Sequence, residues 1–408
     1  MKRYETYKDS GIQWWEEIPT HWDLKKAKHI FSLVTENVSD SSLPKIALEN
    51  IESWTGKYIE TDSDFMGEGV EFKKDDILFG KLRPYLAKVY KAEFAGQAVG
   101  DIYVFRGNEE QNPEYLKYLL LSYPFISVVD GSTYGAKMPR ANWDFISHLV
   151  LPCPPKTEQV TIAAFLDHKV GQIDATIAEK EQMLEDLKAY RSAIVSEAVT
   201  KGLDKNVEMK DSGIDKFPMI QFNWNTSKLK YIASIRSGSA LPANNIKEDA
   251  LYEVYGGNGC MGKADEYNTE SPAIIIGRVG ALCGNVHLIK TKKWVTDNAL
   301  ILNIKRDVTY EYLYYYLTAY DLNTLNSSNA QPLITGTKVL DVVTPMPSLN
   351  EQIMIANYLD DKTSMIDETI DQISVQIVEL KSYKSSLITE AVTGKIDLRD
   401  WKPKEEKV

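Results

Sequence analysis

The chain of 408 residues is long enough for two or three domains, and its 43% apolar and 26% charged content is that of a soluble globular protein. A net charge of −11 excludes a simple basic DNA-coating protein, and no apolar run approaches the ~20 residues of a membrane span. The start, Met1-Lys2-Arg3-Tyr4-Glu5, lacks the apolar core of a signal peptide, and three scattered cysteines (Cys153, Cys260, Cys283) suit a reducing cytosol.

The first 153 residues form one block. It opens with Lys-Asp-Ser-Gly-Ile at 8–12, followed by Ile18 and Trp22. Short strand-like runs follow, such as 101–105, and one helical segment, 113–121, whose tyrosines and leucines read as core packing. The stretch Phe79-Gly80-Lys81-Leu82-Arg83-Pro84-Tyr85 follows a strand-like run and puts a cation directly after a glycine. Glycine permits close backbone approach, and Lys or Arg bonds guanine O6/N7 or a phosphate. An ordinary glycine-bent hairpin with a solvated cation has the same pattern. Lys81, Arg83 and Tyr85 are candidate nucleic-acid contacts, as are Lys137, Arg140 and Asn142 of the later loop 136–142.

Residues 154–206 are helical. After Pro152, Pro154 and Pro155 the sequence steps by four and three through Leu166, Val170, Ile173, Ile177, Lys180, Leu184, Leu187, Arg191, Ile194 and Ala198, and Gly202 closes the run. This is a heptad seam, on a helix of roughly 33 residues and about 50 Å. It wants a partner helix.

Then the chain repeats itself. Lys-Asp-Ser-Gly-Ile recurs at 210–214, and the same offset of 202 aligns Ile18, Trp22, Lys26, Lys28 and Ile30 with Ile220, Trp224, Lys228, Lys230 and Ile232. The opening segments differ at one point: Phe217-Pro218-Met219-Ile220 stands against Glu16-Glu17-Ile18-Pro19, which predicts a different turn. The block 207–345 carries equal numbers of cations and anions. Its strand-like run Ala273-Ile274-Ile275-Ile276 leads into Gly277-Arg278-Val279-Gly280, which lies where Gly80-Lys81-Leu82-Arg83 lies in the first copy. The first loop lacks the second glycine, so contacts do not carry over directly. A Tyr-rich helical segment spans 310–318. Candidate contacts in this copy are Arg278, Asn258 of the Gly256–Gly259 turn, and Gln331, Thr335 and Lys338 of the later loop.

Residues 346–408 repeat the helix at an offset of 193. Glu158-Gln159, Ile162-Ala163 and Leu166-Asp167 match Glu351-Gln352, Ile355-Ala356 and Leu359-Asp360, and Glu-Ala-Val-Thr at 197–200 recurs at 390–393. The second seam is Leu359, Thr363, Ile366, Ile370, Ile373, Ile377, Leu380, Lys384, Leu387 and Ala391. Arg191 and Lys384 interrupt the two seams at equivalent places, as register-setting cations do. Pairing of the two helices with each other, antiparallel, is expected; a partner's helix or a homodimer is the alternative.

There is no Walker loop, dinucleotide fingerprint, Asn-Pro-Pro-aromatic run or zinc spacing. Asp64, Glu71 and Lys73 weakly match a nuclease carboxylate-lysine set that the second copy lacks. The two Glu-Gln-x-x-Ile-Ala-x-x-Leu-Asp openings with their helices, the Lys-Asp-Ser-Gly-Ile segments and the Gly277–Gly280 loop resemble the specificity subunit of type I restriction-modification systems, nearly end to end. The resemblance implies an α+β fold with a pseudo-two-fold internal repeat. Residues 1–153 and 207–345 would be α/β target-recognition domains reading the two halves of a split, asymmetric site in double-stranded DNA. Residues 154–206 and 346–408 would be helical spacers forming an antiparallel coiled coil that acts as a ruler. It further implies a cytoplasmic, non-catalytic chain that docks two modification (methyltransferase) subunits and restriction (endonuclease/translocase) subunits. S-adenosylmethionine, ATP and Mg would belong to those partners, with no cofactor or metal on this chain. Two other readings compete: a duplicated coiled-coil scaffold that binds proteins only, and a self-sufficient nuclease using Asp64 and Glu71.

Overall fold

The computed structural model describes the chain apart from residues 1, 13, 39–42, 62–67, 134–136, 205, 281, 327–331 and 404–408. Residues divide into a first unit, Met1–Glu181 with Val375–Val408, and a second, Gln182–Ser374. The division falls within both long helices, so each unit holds one α/β block and a stretch of each helix.

Within the first unit, Tyr7–Asp9 pairs with Glu17–Pro19, and Asp23–Lys26 with Val150–Cys153. Four antiparallel strands follow in the order Phe31–Val34, Ile102–Gly107, Ile77–Gly80, Val89–Lys91. A second four-stranded sheet and helices α1 (Pro113–Leu121), α2 (Tyr123–Gly131) and α3 (Trp143–His148) complete the block. Asn112 caps α1 by accepting from the Tyr115 amide, and Pro113 at the first helical position needs no amide partner.

The second unit repeats this plan. Met209–Asp211 pairs with Met219–Gln221, and Asn225–Lys228 with Val343–Met346. Its four-stranded sheet runs Ala233–Ser237, Ala299–Ile304, Ala273–Gly277, Val286–Ile289, again first, fourth, second, third in chain order. Helices α5 (Leu229–Ile232), α6 (Tyr310–Tyr320) and α7 (Gly336–Leu340) accompany it. The opening turns differ, as expected, at one place, where Glu16 is left-handed (φ +50°) and its amide donates to the Ile12 carbonyl, while Pro218 in the equivalent place has a fixed φ and no amide to donate; the strands beside the turns keep one register. Lys8 faces Ile18 as Lys210 faces Ile220, and both isoleucines are fully buried, so the buried residue sets the register and the exposed residues around it are free to vary.

The run Ala273–Ile276 is apolar at every position because both faces of its strand are covered. Ile274 and Ile276 join the core with Leu300, Leu302 and α6, while Ala273 and Ile275 join a separate cluster with Ile301 and Val295.

The long helices are α4 (Lys156–Lys201, 46 residues) and α8 (Leu349–Val392, 44 residues). They exceed the expected 33 residues because helix starts almost immediately after the prolines, so the Glu-Gln motifs lie inside it. Within the first unit Lys384 bonds Asp174 at 2.8 Å and Lys381 bonds Glu181 at 3.0 Å. Within the second, Arg191 grips Asp367 with two bonds of 2.8 and 3.0 Å. Rising numbers on α4 meet falling numbers on α8, so the helices pair antiparallel in each unit. All twenty seam positions are buried or half-buried.

Each helix stops at a glycine with left-handed backbone, Gly202 (φ +75°) and Gly394 (φ +74°). A β-carbon there would meet the Trp224 ring at 3.1 Å or Pro19 at 2.4 Å. Only glycine lets the opening segment pack so closely against the helix end.

Candidate nucleic-acid interface

The repeated helix motif is a joint. Gln159 accepts from the Asn112 amide at 2.8 Å and donates to the Pro154 carbonyl at 2.9 Å. Gln352 accepts from Thr309 at 2.8 Å and donates to Pro347 at 3.0 Å. Asp167 accepts from the Tyr118 hydroxyl at 2.7 Å, and Asp360 from Tyr315 at 2.6 Å. Burial, together with these carboxylates, pushes both tyrosine hydroxyls well above their ordinary pKa. Glu158 accepts from Tyr4 and Trp22, each at 2.9 Å, and Trp224 donates to Glu351 at 3.3 Å. The motif's polar residues therefore fasten each α/β block to its helix.

Both glycine loops have one backbone frame. Leu82 bridges Arg140 where Val279 bridges Leu333. The Lys81 amide donates to the Asp101 carbonyl at 2.9 Å, and that of Arg278 to Asn298 at 3.0 Å. Arg83 donates to Pro139 at 2.8 Å, and Gly280 to Pro332 at 3.1 Å. Ala141 returns a bond to Lys81 at 2.7 Å, and Ile334 to Arg278 at 2.9 Å. The missing second glycine does not break the equivalence. Arg83 adopts the left-handed conformation (φ +51°) that Gly280 (φ +86°) holds in the other copy.

On this frame the candidate residues take different parts. Arg83, Tyr85 and Lys137 are exposed at the rim of the first block. Lys81 lies half-buried over the Tyr103 ring, 3.8 Å from Asp101, and Arg140 holds Asp101 with two bonds of 3.0 Å. In the second block Arg278 reaches Ser237 Oγ at 3.4 Å. Asn258, Val279, Gly280 and Leu282 line an open cleft of about 490 Å³.

Three candidates have local work of their own. Asn142 caps α3, accepting from the Asp144 amide at 2.8 Å, and Thr335 caps α7, accepting from Lys338 at 3.4 Å. The Lys338 ammonium donates to the Leu325 carbonyl at 2.9 Å. Gln331 lies outside the described residues, as does Asp64 of the nuclease reading. Asp101, Tyr103 and Asn298 were not legible as site residues, since only strand pairing brings them under the loops.

The sequence pattern of the "Type I restriction modification DNA specificity domain" matches residues 29–188 and 222–379. The chain belongs to this family. Each matched specificity domain joins one α/β block to most of the helix after it. The type I restriction enzyme EcoprrI specificity subunit of Escherichia coli is 32% identical over 159 residues, 38% of each chain, so that match spans well under half of the relative. The MjaVIII specificity subunit of Methanocaldococcus jannaschii is 21% identical over 352 residues, 80% of this chain and 77% of that one. A chain from a structure of a type I R-M system superposes with a TM-score of 0.73 at 16% identity, covering 93% of this chain and 99% of that one. The HsdS subunit from Thermoanaerobacter tengcongensis gives a TM-score of 0.51 at 17% identity, covering 93% and 98%. These likenesses show that the specificity-domain fold extends over nearly the whole chain. Among the described residues no helix is long and apolar enough to cross a membrane.

Proposed function

We propose that this chain reads an asymmetric, bipartite target in double-stranded DNA for a type I restriction-modification complex, one half-site per α/β block. The observation that carries the reading is the shared frame of the two glycine loops: identical backbone bonding presents Lys81, Arg83 and Arg140 in one copy and Arg278 in the other. A common frame with different side chains is what two readers of different half-sites need. A protein-only scaffold leaves the repeated loops without a purpose.

The chain supplies recognition, and two modification subunits dock on the helical joints, one for each copy of the motif. Methyl transfer from S-adenosylmethionine belongs to them. ATP- and Mg-dependent cleavage belongs to restriction subunits. Partner cations offset an acidic chain when phosphates are gripped. The complex works in the cytoplasm, where its DNA is.

A map of methylated bases in the host genome, with the gene present and deleted, tests this. A split motif with a fixed unspecified spacer, lost on deletion, is the expected result. An unchanged map, together with no sequence preference in DNA binding by the assembled complex, would reject it. Arg278→Ala is expected to weaken recognition of one half-site only. Equal loss at both would remove Arg278 from the reading surface.

A further inference from the structure

At the rim of the first reader, Asp101 accepts from Nε and Nη2 of Arg140 at 3.0 Å each, and the Lys81 ammonium stands 3.8 Å from the same carboxylate. The backbone beneath is fixed by the Leu82–Arg140 bridge and the Lys81-to-Asp101 bond. A guanidinium is a planar fork of five donors. The carboxylate occupies the edge formed by Nε and Nη2, leaving the edge formed by Nη1 and the second proton of Nη2. That remaining edge matches the O6/N7 acceptor pair of guanine. The Arg140 side chain keeps 50% of its surface exposed and Asp101 only 23%, so the guanidinium is the more open member of the pair.

The second reader lacks this arrangement. Asn298 takes the backbone place of Asp101, and Leu333 takes that of Arg140. The buttress is therefore a property of one half-site and not of the fold.

We propose that Asp101 is a positioning residue of the first reader, holding Arg140 so that its remaining edge presents a fixed pair of donors to one guanine of the first half-site. This rests on the DNA-reading assignment above. Ordering the side chain in advance removes the rotamer freedom it would otherwise lose on binding.

The test uses the complex assembled with its modification subunits, and oligonucleotides substituted singly across both half-sites. Methylation rate and binding are read for Asp101→Asn, Arg140→Ala and the double variant. Both single variants are expected to lose roughly tenfold discrimination at the same base pair of the first half-site. The double variant should lose no more than Arg140→Ala alone, and the second half-site, an internal control for folding, should be unaffected. Uniformly tighter binding by Asp101→Asn, with its base preferences intact, would mean that Asp101 only neutralises charge and would overturn the proposal. Loss spread evenly over the first half-site would also overturn it, since that is the mark of phosphate contact. Absence of base preference in the unsubstituted complex would overturn the DNA-reading assignment itself.

Discussion

Two ion pairs related by the internal repeat show how much context decides. The shift of 193 carries Arg191–Asp367 onto Lys384–Asp174. The Lys384 and Asp174 side chains are only 9% and 13% exposed, whereas those of Arg191 and Asp367 are 28% and 51% exposed. Breaking a buried pair strands a charge and costs about 3–5 kcal/mol, while an exposed pair contributes about 0–1 kcal/mol. Lys57 also holds Asp174 at 2.8 Å, which softens the loss. Lys384→Ala is therefore expected to destabilise the first unit by about 2 kcal/mol, and Arg191→Ala the second by under about 1 kcal/mol, in denaturant melts. Burial raises the Asp174 carboxyl, but Lys384 and Lys57 outweigh it and hold the group below its ordinary pKa. The stability it contributes is complete above the usual carboxylate value of about 4 and is lost as pH falls through the lower folded value. The melting temperature should fall on acidification below about pH 4, and Asp174→Asn should remove that part of the fall.

At the scale of elements, the joint explains why the helix motif was legible and its meaning was not. The identities Glu158-Gln159 and Glu351-Gln352 stand out in the sequence, as does the periodicity of the seam. Their partners, Trp22, Asn112 and Tyr118 in one copy and Trp224, Thr309 and Tyr315 in the other, lie far away along the chain. Spacing reveals a helix face, but only the folded chain shows what that face bonds. The glycine loops behaved in the same way. Their equivalence is readable in the sequence, whereas the capping roles of Asn142 and Thr335 are not, because a capping residue and a nucleic-acid contact share the same chemistry. Gln159 is 1% exposed, so Gln159→Leu leaves a buried amide and carbonyl without partners, at about 1–3 kcal/mol each. Hydrogen exchange should quicken at Asn112 and through α1, while α6 in the other copy keeps its protection.

For the whole molecule, the alternation of α/β block and helix was visible because the chain is written twice, and the fold was expected on that ground. The helices are longer than their seams: the apolar periodicity begins at Leu166, whereas Glu158 and Gln159 are already helical. Both helices run unbroken from residues of one unit to residues of the other. Adding seven residues to each lengthens the connection by about 10 Å, close to three base-pair steps. The insertion is expected to widen the unspecified spacer by about three base pairs while both half-sites stay the same. A methylation map of the insertion variant checks this.

The two units differ in how they are assembled in time. The second is one continuous stretch, Gln182–Ser374, whereas the first needs Met1–Glu181 and then Val375–Val408. A ribosome that has just released residue 374 has delivered every part of the second unit. The first still lacks the later part of α8 with the Lys384 that bonds Asp174, the Val392 carbonyl that faces the Tyr115 hydroxyl, and the Trp401 ring that packs on Phe165. The first block to be translated is thus the last to close, and its apolar seam remains bare through the synthesis of roughly half the chain. That interval is when this protein is most exposed to chaperones, proteases and premature pairing with another nascent copy.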